Sequence, residues 1–217
     1  INTPEGKNLI GTFHQPRLVL IDPLLLGTLP AREYNEGFAE IIKHAAIRDA
    51  ALLPAIARAA ASERRDGLAP LIADNVRIKA AIVSEDEFET KGLRALLNFG
   101  HTIGHAIEAS AGYGQLLHGE AISLGIRAAL HLSEKHAGLA REDSTALLTL
   151  LAAFRLPLML PESISTAQIM EKLGRDKKFD QGAIRFVLLR GLGDAFVSSD
   201  VTKDNVLEAV GALRTLS

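Results

Sequence analysis

Three of the chain's seven histidines fall between His101 and His118. His101 and His105 are four apart, so on a helix they stack on one face about one turn from each other. Gly112, Tyr113 and Gly114 break that helix, and His118 opens the next apolar periodic run. Two helices joined by so short a glycine-containing loop can return His118 to the neighbourhood of His101. Converging imidazoles are the beginnings of a zinc-type site, which needs a further ligand from elsewhere. Glu40 is a candidate, because it shares a helix face with Lys43 at i and i+3 among otherwise apolar residues. Charges in that setting are costly to bury unless paired or bound to a metal. A Glu–His–His set with open coordination positions points to catalysis rather than to a structural metal. His101 alone reads more readily as a satisfied structural histidine; the joint pattern with Glu40 and His118 reverses that.

Arg94 and Asn98 stand at i and i+4 on the face leading to His101 in one continuous helical reading. A guanidinium can hold a carboxylate in a two-pronged fork, and an amide can both donate and accept. Lys43 and Lys79 taken singly are ordinary solvated lysines. Glu108, Glu120, His14, His44, His131 and His136 read as structural or surface groups, since no constellation recruits them.

The elements that must position these groups are mostly helical. Apolar periodicity predicts helices around Phe38–Ala46 and over residues 50–61, 68–83, 96–109, 120–136, 142–154 and 203–213. Residues 17–22 read as a short strand, and residues 184–189 and 195–199 as a small β-hairpin. The predicted fold is mainly α: residues 1–29 form a lead-in segment with one strand, and residues 30–217 a helical domain.

At 47% hydrophobic and 23% charged, 217 residues can bury a core of their own. A net charge of −2 gives no general attraction to nucleic acid. The absence of cysteine rules out disulfide and thiolate metal frameworks and fits a reducing cytoplasm. The greasiest stretch, residues 146–161, carries Arg155, Pro157 and Pro161 and is too interrupted to span a bilayer.

Six segments resemble 3-dehydroquinate synthase: GKN at Gly6, Lys7 and Asn8; LID and TLP between Leu20 and Pro30; GFAEIIK from Gly37 to Lys43; GLRALLNFGHTIGHAIE from Gly92 to Glu108; HGEA from His118; and DKK at Asp176, Lys177 and Lys178. Their order and spacing fit along essentially the whole chain. The long block around His101 is highly specific, whereas GKN or DKK alone would carry nothing. Residues 86–92 hold one residue more than the family pattern. The family's N-terminal Rossmann-type domain has no counterpart, since Gly112–Gly114 and Gly191–Gly193 lack both the third glycine and the strand-turn-helix setting of a dinucleotide fingerprint. With Ile1 in place of Met, the chain reads as the C-terminal half of such an enzyme, with its N-terminal strand belonging to the junction.

The resemblance implies that Glu40, His101 and His118 bind zinc or cobalt. It places His105 beside the substrate, with Lys43, Lys79, Arg94 and Asn98 handling the anionic ligand. Lys177 and Lys178 would add a phosphate contact, although a plain charged loop is an equal reading. Lys7, Asn8, Leu25, Leu26, Gly27 and Thr28 would touch NAD. The implied reaction converts 3-deoxy-arabino-heptulosonate 7-phosphate into 3-dehydroquinate with loss of phosphate, in a homodimeric cytoplasmic enzyme, and the half chain alone would be inactive. Alternatives are another sugar phosphate cyclase, a metal-dependent polyol or alcohol dehydrogenase, and a catalytically silent metal-binding module.

Overall fold

The computed structural model describes residues 3, 10–12, 14, 16–62, 65, 67–88, 92–112, 114–174 and 185–215. In chain order the helices are α1 (Ala31–Arg48), α2 (Leu53–Ala61), α3 (Ala69–Glu85), α4 (His101–Ala111), α5 (His118–His136), α6 (Arg141–Ala153) and α7 (Thr166–Gly174). A hairpin of β1 (Phe186–Gly191) and β2 (Asp194–Ser198) follows, then α8 (Lys203–Ala212).

α5 is the axis. Its sequence is apolar or small nearly all round from Gly119 to Leu130, and every one of those residues except Glu120 is buried, as a helix without a polar face requires. One side, through Ile122, Ile126 and Leu130, packs with Phe38 and Ile42 of α1, Leu147 and Leu151 of α6, and Phe154. The other side, through Leu124, Ala128 and Leu132, packs with Ile103 and Ile107 of α4, Ile169 of α7 and Val206 and Val210 of α8. β1 alternates between the two cores: Val187 and Leu189 enter the first, Phe186 and Leu188 the second. Ser133 Oγ accepts the Leu189 N–H at 3.0 Å, fixing the strand to α5. β1 and β2 run antiparallel with Leu188 opposite Phe196, and Gly193 N–H donates to Ala46 O of α1 at 2.8 Å.

Three expectations change. The helix drawn over residues 96–109 is two pieces, a 3₁₀ turn over Arg94–Asn98 and then α4. Gly100 separates them at φ +76°, a conformation that costs glycine little. Residues 17–22 form no strand, because no neighbouring strand pairs with them among the described residues; Leu18, Val19, Leu20 and Ile21 stand exposed. α7 has no counterpart among the predicted helices, although it starts on a reciprocal Ser165–Gln168 cap: Ser165 Oγ accepts from Gln168 N–H at 3.2 Å and Gln168 Oε1 from Ser165 N–H at 2.8 Å.

Candidate active site

The site begins where α4 and α5 cross at backbone contact. A Cβ at Gly125 would lie 1.9 Å from Gly100 O and 2.7 Å from Gly104 N, and one at Gly104 would lie 2.8 Å from Ile122 Cδ1. Gly100 and Gly104 each precede a histidine by one residue. The glycines that admit α5 therefore set His101 and His105 about 100° round the helix, off the seam. His118 opens α5 where the extended Leu117 backbone turns into the helix.

His101 Nε2 lies 3.1 Å from Glu40 Oε1, and His118 Nε2 3.7 Å from the same oxygen. Each ring is fixed from its far side: His101 Nδ1 faces Phe99 O at 3.1 Å and His118 Nδ1 faces Glu108 Oε2 at 3.1 Å. Protons held on both Nδ1 atoms leave the Nε2 lone pairs turned toward Glu40. Glu40 Oε1 is buried and, among the described residues, receives no hydrogen bond of good geometry. Three electron-pair donors thus crowd one point, and a proton or a cation must sit among them. Zinc bonds of roughly 2.0–2.2 Å would place neighbouring ligand atoms about 3.3–3.6 Å apart in a tetrahedron, and the Glu40–His101 and Glu40–His118 separations of 3.1 and 3.7 Å bracket that range.

The second carboxylate oxygen is engaged elsewhere: Lys43 Nζ donates to Glu40 Oε2 at 2.6 Å. Burial alone would raise the Glu40 carboxyl, but where protons fill that point, hydrogen bonds from His101 and His118, together with Lys43, outweigh it and hold the group well below the usual carboxylate range. Burial pulls the Lys43 ammonium down, and Glu40 restores part of that. His118 is pushed up, mostly by Glu40.

These groups open onto a cavity of about 540 Å³ lined by Glu40, Lys43, His44, Lys79, Arg94, Leu97, Asn98, His101 and His118. Arg94 is braced through its own N–H to Asp86 Oδ2 at 3.1 Å and through Nη1 to Glu87 O at 2.8 Å. The cavity therefore has a wall of metal-type donors and a wall of cations, a shape and charge suited to a small anionic ligand. His105 lies outside that lining and is exposed; its ring centre is 5.1 Å from that of His101 and 5.6 Å from that of His118. Its ligand nitrogen falls in one cluster with theirs, all within 4.8 Å. Leu25, Leu26, Gly27 and Thr28 form a 3₁₀ turn, Pro23–Thr28, that does not line the cavity; Arg65 Nη1 donates to Leu26 O at 3.2 Å. Lys7, Asn8, Lys177 and Lys178 lie outside the described residues.

Two groups read as structural belong to the site. Glu108 orients His118, and the signal was available, since His101, His105 and Glu108 at i, i+4 and i+7 share a face of α4. His44 lines the cavity one turn beyond Glu40, with Nδ1 2.9 Å from Asn75 Oδ1. Burial, then the Lys43 charge, push His44 down to about 4. It is neutral in the fold and protonates near 6.5 once unfolded, so its contribution is complete above that pH and is lost as pH falls from 6.5 to about 4. Between pH 7 and pH 5 the chain should lose about 2 kcal/mol more stability than His44→Gln, which can still bond Asn75. Urea unfolding at the two pH values measures this, and equal losses in both proteins would refute it.

The comparisons with known proteins agree with this geometry. The family model described as 3-dehydroquinate synthase C-terminal matches residues 37–179, and the corresponding N-terminal model matches residues 1–36. The chain is 46% identical over 210 residues to a 3-dehydroquinate synthase of Opitutus terrae, covering 96% of this chain and 58% of that protein. It is 45% identical over 210 residues to one of Geobacillus kaustophilus, covering 95% and 57%. Among solved structures it resembles a 2-epi-5-epi-valiolone synthase of Streptomyces hygroscopicus with NAD+ and Zn2+ bound, at TM-score 0.85 and 29% identity, covering 98% of this chain and 60% of that one. It also resembles a 2-deoxy-scyllo-inosose synthase complexed with carbaglucose-6-phosphate, NAD+ and Co2+, at TM-score 0.79 and 25% identity, covering 97% and 59%. The chain spans a little under three fifths of the length of the curated relatives named here. With a family model matched across most of its length, including every residue of the cavity, the chain belongs to the 3-dehydroquinate synthase family.

Proposed function

We propose that the chain is the metal- and substrate-binding part of a 3-dehydroquinate synthase. Joined to an NAD-binding half, it would convert 3-deoxy-arabino-heptulosonate 7-phosphate into 3-dehydroquinate with loss of phosphate. The observation that carries this reading is the single cavity where Glu40, His101 and His118 face Lys79, Arg94 and Asn98. When bound, NAD supplies the hydride chemistry and a zinc or cobalt ion polarises the substrate oxygen it draws in. Glu40, His101 and His118 would hold that ion. Arg94 and Lys79 would grip the substrate carboxylate, and Asn98 would donate to and accept from its hydroxyls. Lys43, kept in place by Glu40, would fix the substrate against the metal wall, and His105 at the rim would carry a proton to or from it. Lys177 and Lys178 would meet the phosphate, while Lys7, Asn8 and residues 25–28 would face the dinucleotide.

The lead-in residues 1–29 would join the helical domain 30–217 to the nucleotide-binding half. The exposed apolar side chains Leu18, Val19, Leu20, Ile21, Leu24 and Leu25 support such a junction. We further infer a homodimeric cytoplasmic enzyme; no helix among the described residues is long and apolar enough to cross a membrane. Aligning a nicotinamide with a substrate carbon takes both halves, so the chain alone would be inactive. A second cyclase reading, favoured by the likeness to the valiolone synthase, would share the metal wall and differ at the carboxylate grip.

The test is phosphate release from the heptulosonate phosphate, with NAD and zinc, by the chain alone and with a matching N-terminal half. Turnover is expected only in the mixture. There, Arg94→Ala should cost roughly 2–5 kcal/mol in handling the natural substrate and far less with an analogue lacking the carboxylate. Equal losses on both ligands would favour another cyclase, and no turnover in the mixture would favour a silent metal-binding module.

A further inference from the structure

α1 meets the first turn of α5 in register. Arg32, Glu36 and Glu40 recur every four residues and form one stripe along α1. Glu40 faces His118. One turn back, Glu36 Oε2 accepts the Gly119 N–H at 2.6 Å. Another turn back, Arg32 forks onto Glu120, with Nε to Oε1 at 2.6 Å and Nη2 to Oε2 at 2.6 Å, and Nη2 also reaches Gln115 O at 3.0 Å. Glu120 Oε2 in turn accepts the Leu117 N–H at 2.8 Å. Three consecutive residues of α5 are thus held by three successive rungs of α1. The backbones all but touch here, since a Cβ on Gly119 would lie 2.1 Å from Glu36 O.

His118 needs such support. It is the first residue of its helix, where backbone N–H groups lack helical partners and the chain frays most readily. Its side chain is 43% exposed, so packing alone does not pin it. The Glu108 bond sets how the ring is turned but not where the His118 backbone stands. We propose that Arg32, Glu36 and Glu120 are positioning residues that hold the start of α5 against α1, so that His118 Nε2 stays within ligand distance of Glu40 Oε1. None of the three reaches the donor cluster; they act through His118. The inference rests on the metal reading above.

The experiment titrates the metal-stripped 217-residue chain with zinc against a chelating indicator, and records the visible spectrum of the cobalt-loaded form. Glu36→Ala and Arg32→Ala should each weaken zinc binding by roughly 10–100-fold, the scale of outer-shell supports. Glu36→Gln, whose carbonyl can still accept from Gly119 N–H, should recover most of the loss. In a His118→Ala background, Glu36→Ala should change the remaining affinity by less than about twofold, because its effect runs through that ring. The cobalt spectrum of Glu36→Ala should move toward that of His118→Ala. A folded Arg32→Ala that loses thermal stability yet binds zinc like the parent would overturn the proposal, and its half-exposed side chain makes it the variant that still folds if Glu36→Ala does not. Equal losses from Glu36→Ala with and without His118 would also overturn it. Parent-like zinc binding by His118→Ala would instead sink the metal site itself, and the positioning role with it.

Discussion

His118→Ala, and equally Glu40→Ala, should lower zinc affinity by more than the roughly 100-fold that marks the upper range for outer-shell changes. His105→Ala should leave it within a few-fold. The contrast is sharp because all three imidazoles lie in one cluster, and spacing alone would make His105 as good a ligand as His118. The difference lies in position, since His105 lies outside the cavity lining that Glu40, His101 and His118 share. His101 and His118 turn Nε2 toward the buried Glu40 Oε1. The carboxylate also offsets part of a divalent charge, which a third neutral imidazole would not. Metal content of chelator-treated, zinc-reloaded protein should be about one ion per chain in the parent and in His105→Ala, as a single site implies, and should collapse in the other two. Equal loss from His105→Ala and His118→Ala would give a three-histidine site and free Glu40 for another role.

Gly125→Ala is the substitution expected to damage the fold most. The new methyl group would lie 1.9 Å from Gly100 O and 2.7 Å from Gly104 N, both backbone atoms. Neither can step aside, because Gly104 N–H donates to Gly100 O at 3.0 Å and Gly100 is held at φ +76°. Relief requires α4 and α5 to part along their length. Overpacking costs typically 1–3 kcal/mol and occasionally more, and a clash with backbone belongs at the top of that range, about 3 kcal/mol or beyond. In a domain holding some 5–15 kcal/mol this is a large share. Gly174→Ala is the control: it ends α7 with nothing among the described residues within 4 Å and should be neutral or slightly stabilising. Urea unfolding of the two variants decides the matter. Similar midpoints would mean that the α4–α5 seam is looser than the structure has it, and that His101 and His118 are not held together by it.

How far the sequence is legible depends on how local each feature is. α1, α3, α5, α6 and α8 follow from apolar periodicity, and the hairpin from two β-prone runs around two glycines. The periodicity also runs unbroken through Gly100, since Leu96, Leu97, Ile103 and Ile107 keep helical spacing; the break there comes from tertiary packing, with a Cβ on Gly100 only 2.7 Å from Ile126 N. Residues 17–22 have strand propensity, but a strand needs a neighbour, and propensity cannot show whether one is present. In the site, His101, His118 and Glu40 stand out by type and spacing, and the structure brings them together. The groups that hold them do not stand out. Arg32 meets a residue 88 positions away and Glu36 one 83 positions away, and nothing in the local pattern around either announces such a partner.

The two walls of the cavity hang on different elements. Glu40, His101 and His118 stand on α1, α4 and α5, which interlock at backbone level through glycines. Lys79 stands on α3, and Arg94 and Asn98 on the short turn after it, braced by Asp86 and Glu87. The two are joined where His44 Nδ1 of α1 meets Asn75 Oδ1 of α3 at 2.9 Å. In evolutionary terms the pocket offers two kinds of position: Lys79, Arg94 and Asn98 stand off the α4–α5 seam, whereas at Gly100, Gly104 and Gly125 an added Cβ would fall less than 3.0 Å from a neighbouring atom.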